Sequence, residues 1–194
     1  MSEFQLYFLL GKDHILDYRN GYDHILFVLA LCAVYVVRDW KKILILVTAF
    51  TIGHSITLAL STLNLISVNV TLIEFLIPLT IFITAVANLF KKEDNLSHRK
   101  VQANYFFALF FGLIHGMGFS NYLKSLLGKD QSIVSQLFAF NLGLEFGQIV
   151  IVAIFLAVSF IVIDLLHAPR RDWKMVLSSA IAGIALILMK DRLP

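Results

Sequence analysis

Six apolar runs dominate this chain, each long enough to cross a bilayer once tilt and frayed ends are allowed for: about 22–37, 42–62, 68–90, 102–119, 136–166 and 174–189. No stretch between them is long enough for a soluble domain, so the 194 residues read as a single integral membrane domain. In hydrocarbon every backbone polar group must be satisfied within the protein, and runs of this length do so as helices. The fold class is therefore all-α, a polytopic bundle of about six transmembrane helices over 22–189. Residues 1–20 mix Phe4, Tyr7, Phe8, Leu10, Ile15 and Leu16 with Gln5, Lys12, Asp13, Asp17 and Arg19, a pattern that predicts an interfacial helix ahead of the bundle. The short run Leu6–Leu10 has no basic segment before it, so no cleaved leader is expected.

Charge settles other questions. The chain is 59% hydrophobic and 15% charged, and its net charge of +3 sits in short interhelical segments, which gives no support to nucleic-acid binding. One cysteine, Cys32, excludes an intramolecular disulfide and reads as a small core residue. Arg38, Lys41, Lys42, Lys91, Lys92, Arg99, Lys100, Arg170, Arg171 and Lys174 fall on one side, against Lys12, Arg19, Lys124, Lys129, Lys190 and Arg192 on the other. This excess predicts that both termini are extracytoplasmic.

Within that topology six ionisable residues fall in the outer half of the membrane. Asp23 and His24 open the first span, His54 lies past the middle of the second, Glu74 is early in the third, His115 late in the fourth and Glu145 in the outer part of the fifth. Left unpaired, such groups would together cost on the order of 10 kcal/mol, so they are expected to converge on each other or on a cation. Gly112 and Gly116 flank His115, and Gly143 and Gly147 flank Glu145, at the small-xxx-small spacing that lets helices approach closely; this predicts that the carboxylate faces the imidazole. Pro78 removes the donor that would bond the Glu74 carbonyl. Ser55, Asn141 and Gln148 supply neutral groups to orient the ligands.

Three imidazoles and three carboxylates without a thiolate make the ligand set of a divalent transition metal such as Ni, Co or Zn. Bland readings stand beside this one: Asp23 favoured by a helix dipole, His54 and His115 as interhelical hydrogen-bonding groups, the glutamates as protonated carboxyls. Gly11-Lys12-Asp13-His14-Ile15-Leu16 is echoed by Gly21-Tyr22-Asp23-His24-Ile25-Leu26, which makes His14 a candidate entry ligand outside the core set. Two functions fit. One is inward transport, for which Thr80, Thr84 and Asn88 form the only candidate path beyond the site. The other is an intramembrane metal-dependent hydrolase acting on lipid or protein at the outer leaflet, with Glu74 or Glu145 as general base.

Gly21-x-Asp23-His24, Phe50-Thr51-x-x-His54-Ser55-x-Thr57-Leu58, Phe111-Gly112-Leu113-x-His115-Gly116-x-Gly118-Phe119 and Phe140-Asn141-x-Gly143-x-Glu145-x-Gly147-Gln148 together resemble the HupE/UreJ group of bacterial membrane proteins. The resemblance spans nearly the whole chain. It implies a nickel or cobalt permease of the bacterial inner membrane, with ligand roles for Asp23, His24, His54, His115 and Glu145. The stricter permeases carry a His-Pro pair upstream of Gly-x-Asp-His, where this chain has His14 followed by Ile15. Membrane lipid and the metal ion are the expected partners.

Overall fold

The computed structural model describes residues 1–19, 21–67, 69–91, 98–126 and 133–193. Among them the chain is all helical, with α1 Glu3–Leu16, α2 Tyr22–Cys32, α3 Trp40–Thr62, α4 Val70–Phe90, α5 His98–Leu126, α6 Ile133–Phe160 and α7 Arg170–Asp191. A 3-10 turn, Val37–Asp39, leads into α3, and a π turn, Ile161–Leu165, extends α6. Five of these helices are long and apolar enough to cross a membrane: α3 to α7. Local chemistry sets several of the ends. Ser2 and Gln5 form a capping box at the start of α1, and the Asn69 side chain accepts from the first amides of α4.

The first expected span, 22–37, is corrected. Its helix α2 stops at Cys32 after 11 residues, about half the length needed to cross alone. The Tyr35 amide bonds back to the Cys32 carbonyl, and the buried Tyr35 hydroxyl accepts from Asn104 of α5, so the chain turns where hydropathy alone would carry the helix on.

Packing rests on glycine. On α3 and α5, a methyl group on Gly53 would strike the Leu109 carbonyl, one on Gly112 the Phe50 carbonyl, and one on Gly116 the His54 carbonyl. Higher residue numbers meet higher ones, so α3 and α5 run parallel with their backbones in contact. The same arrangement joins α1 and α6: Gly11 faces the Phe140 carbonyl, Gly143 the Phe8 carbonyl, and Gly147 meets Ile15. The expected N-terminal helix is therefore present, but docked lengthwise along α6 instead of lying apart from the bundle. The Gln136 amide donates to Glu3 at 2.8 Å where the pair begins. Its mixed sequence suggested a surface location because polar residues are interleaved with the apolar ones, while the feature that decides its packing is a single glycine.

Running α1 along α6 and α2 along α4 makes the two short helices a broken path through the bundle. α1 brings His14 in its last turn to the level of Phe140, where the chain leaves the helix at Asp17. α2 resumes with Asp23 and His24, and passes down to Ala30, whose carbonyl accepts from Asn88 of α4 at 2.7 Å. Broken helices at membrane depth are tolerated where the freed backbone lines a cavity. Arg38, Lys41, Lys42, Lys91, Arg170, Arg171 and Lys174 gather at the far end of α4, α6 and α2, here called the basic end. Lys92 and Lys129 lie outside the described residues, as do the side chains of Arg99, Lys100 and Lys124.

Gly112→Ala should destabilise the protein by about 2 kcal/mol or more, because the added methyl meets a carbonyl and not a flexible side chain. Gly183→Ala, where nothing lies within 4 Å, should be neutral or slightly stabilising. Thermal unfolding of the two variants side by side in detergent measures the difference.

Candidate metal centre

His54 follows Gly53 directly, and His115 lies between Gly112 and Gly116, so the glycine contact that joins α3 to α5 also fixes both imidazoles in the core, 0% and 1% exposed. His24 enters from the first turn of α2, at 5% exposure. His14 enters from the last turn of α1. Ring centroids are 4.5 Å apart for His14 and His24, 6.1 Å for His14 and His54, 6.1 Å for His24 and His54, and 5.3 Å for His24 and His115. One nitrogen from each of His14, His24 and His54 lies within 4.8 Å of the others.

Hydrogen bonds assign the ring nitrogens. Asp23 Oδ1 lies 3.0 Å from His24 Nδ1 and, as a carboxylate, can only accept, so Nδ1 carries the proton and Nε2 presents its lone pair. Thr80 Oγ1 donates to the Ile77 carbonyl at 2.7 Å, so at 3.1 Å it accepts from His115 Nε2–H and leaves Nδ1 as the lone pair. His14 Nε2, His24 Nε2, both nitrogens of His54 and His115 Nδ1 are buried without a hydrogen-bond partner. A buried acceptor left unmade costs about 1–3 kcal/mol. Several such lone pairs around one point fit a divalent cation, which imidazole nitrogens bind well. An imidazole held through its other nitrogen by a carboxylate, as His24 is, is the usual supported metal ligand.

Other sequence-derived residues take different places. Asp23 does not aim at the trio: Oδ1 faces His24, and Oδ2 accepts from Arg192 Nη1 at 3.1 Å. Glu74 is exposed on the wall of a cavity of about 830 Å³ that opens onto the cluster. Glu145 is not brought to the imidazoles. Thr48, about 9 Å nearer the basic end than His54 along α3, donates to it at 2.7 Å. The reason is that Gly143 and Gly147 face α1, not α5, which turns the intervening carboxylate toward α3. None of the three orienting residues bonds an imidazole: Ser55 donates to the Thr51 carbonyl, Gln148 accepts from Thr51, and the Asn141 carbonyl oxygen is buried without a partner.

His14, assigned from sequence to the entry, sits among the core imidazoles; the six-residue echo of its segment in the His24 segment, ten residues on, was the available signal. Thr80 and Arg192 were not anticipated at the site. Thr80 belonged to a hydroxyl stripe and could have been matched in depth to His115, whereas nothing local marked Arg192.

The model of the HupE / UreJ protein family matches residues 1–191, and the chain belongs to that family. No curated protein and no solved structure matches it significantly.

Thr80→Val keeps the shape of the side chain but takes away the acceptor for His115 Nε2–H. Stability should fall by about 1–3 kcal/mol, and Thr80→Ser should restore most of the loss. Denaturant or thermal unfolding in detergent reads both.

Proposed function

We propose that this HupE/UreJ family protein is a permease for a divalent transition-metal ion of the nickel or cobalt type, importing it across a bacterial inner membrane with both termini on the extracytoplasmic side. His14, His24 and His54 would be the nitrogen ligands of the captured ion, His115 the next station, and Asp23 the group that orients His24. The ion is cargo, so the imidazoles must both hold it and let it go.

The observation that carries this reading is the path beyond the cluster. Thr80, which bonds His115, is followed on α4 by Thr84 and Asn88, and these residues turn into the protein: Thr80 and Asn88 are buried and Thr84 is half-buried. Thr84 donates to the Thr80 carbonyl at 2.8 Å. A second cavity of about 170 Å³ lies toward the basic end, where Tyr35, Thr84, Asn88, Lys91 and Asn104 share the lining with six apolar residues. A hydrolase needs no such continuation. Between the cluster and that cavity stand Phe27, Phe50 and Phe111, with Phe27 4.9 Å from both the Phe50 and the His115 ring centroids. They close the route in this conformation.

The entrance suits a cation as well. Asp13, Asp17, Asp23 and Glu74 line the large cavity, and such an excess of carboxylates draws divalent cations toward the imidazoles. The hydrolase reading lacks a comparable anchor: of its candidate bases, Glu145 is bonded to Thr48 and Glu74 is exposed at the cavity wall.

Binding and passage can be tested apart. In detergent, His14→Ala, His24→Ala and His54→Ala should each weaken nickel binding about 10-fold to 100-fold, while Glu145→Gln should stay within about threefold of wild type. In proteoliposomes, Asn88→Leu should leave binding nearly intact yet slow nickel uptake about tenfold or more, since it puts an apolar group on the path. A one-to-one metal that survives purification, with no uptake by the wild type, would count against the permease.

A further inference from the structure

Arg192 lies at the end of α7, beyond the last helical residue Asp191, yet its side chain reaches the first turn of α2 and shares Asp23 with His24. Among the described residues lining the large cavity it is the one permanent cation, set among the carboxylates of Asp13, Asp17, Asp23 and Glu74. Its hold is limited. A single guanidinium nitrogen contacts Asp23, at 3.1 Å, and the side chain is 24% exposed while that of Asp23 is 8% exposed. Its own backbone is tied back by one bond, from the Arg192 amide to the Leu188 carbonyl. A single-point pair with one partly exposed partner is exchanged more readily than a bidentate one, provided another cation takes its place beside the buried carboxylate.

On the permease reading, on which this rests, we infer that Arg192 is a tethered counter-cation that competes with the transported ion for the field of Asp23. With the cluster empty, the guanidinium neutralises the buried carboxylate, which would otherwise need a charge from outside. A divalent ion arriving beside His24 places two positive charges in the same cavity, and repulsion then favours withdrawal of Arg192 toward solvent. When the ion leaves, the side chain returns. Arg192 thus lowers the affinity of a site whose three imidazoles would otherwise retain a transition metal too long for turnover. It also disfavours monovalent cations, which bring too little charge to displace it.

The alternative is that Arg192 only positions Asp23, and the two roles move affinity in opposite directions. Equilibrium nickel binding to detergent-purified wild type, Arg192→Gln and Arg192→Lys separates them. A competing cation requires Arg192→Gln to bind nickel roughly tenfold tighter, the scale for removing one unit charge near a divalent ion in a partly buried site, with Arg192→Lys close to wild type. Weaker or unchanged binding by Arg192→Gln overturns the inference. Hydrogen exchange on the wild type gives a second measure that needs no variant to fold. Nickel should speed exchange in the last turn of α7, residues 188–192, as the side chain is released, and unchanged or slower exchange there overturns it. If the wild type binds no nickel, cobalt or zinc, the permease reading itself fails. Binding by the wild type without the Arg192 effects removes this inference alone.

Discussion

Backbone contact at four glycines holds the site together. Inside a bilayer, apolar side chains gain little by leaving lipid for one another, so helices associate through close packing and weak hydrogen bonds. Here Gly11 with Gly143, and Gly53 with Gly112, bring the helix axes near enough for each α-carbon to lie against a carbonyl of the other chain segment. Both pairs use one reciprocal offset: each glycine faces the carbonyl three residues before its partner glycine. The imidazoles are attached directly to these crossings. His54 is next to Gly53, His115 is three residues past Gly112, and His14 is three past Gly11. Any loosening of a crossing would therefore displace ligands before it affected the rest of the core.

Four histidine rings meet in one cluster, with His24 between His14 and His115 at centroid distances of 4.5 and 5.3 Å. Two of the rings are each held through one nitrogen, His24 by Asp23 and His115 by Thr80. Phenylalanines take up the remaining volume: Phe119 lies 3.9 Å from His14, centroid to centroid, and Phe50 lies 5.2 Å from His115. They fix ring orientation without offering competing hydrogen bonds. The unpartnered lone pairs of His14, His24 and His54 lie close enough together to share one cation.

Much of this was legible before any coordinates. Long apolar runs dictate helices, and the helical membrane bundle follows; buried ionisable residues at one depth dictate convergence, and His24, His54 and His115 do meet. The failures share a cause. Depth along a helix can be counted from sequence, but the direction in which a residue faces depends on which neighbour the helix chooses. Glu145 was turned to Thr48, away from the imidazoles and nearer the basic end, because its flanking glycines chose α1 over α5. His14 was discounted because α1 is short and mixed in composition, and the length of α2 was overestimated because hydropathy does not register the turn at Tyr35. Arg192 comes from the far end of the chain, and no spacing rule connects it to Asp23.

The break between α1 and α2 has a mechanical meaning. His14 belongs to α1, which packs on α6; His24 to α2, which packs on both α4 and α6; and His54 to α3, which packs on α5. The three nitrogens are thus divided among three bodies joined around a single point, like a key gripped by three jaws. An ion held by all three would act as a bolt, and slackening any one jaw would reduce its coordination without unfolding a helix. Residues 17–19 and 21, between the two helices, are non-helical, so His14 and His24 are not carried on one continuous helix.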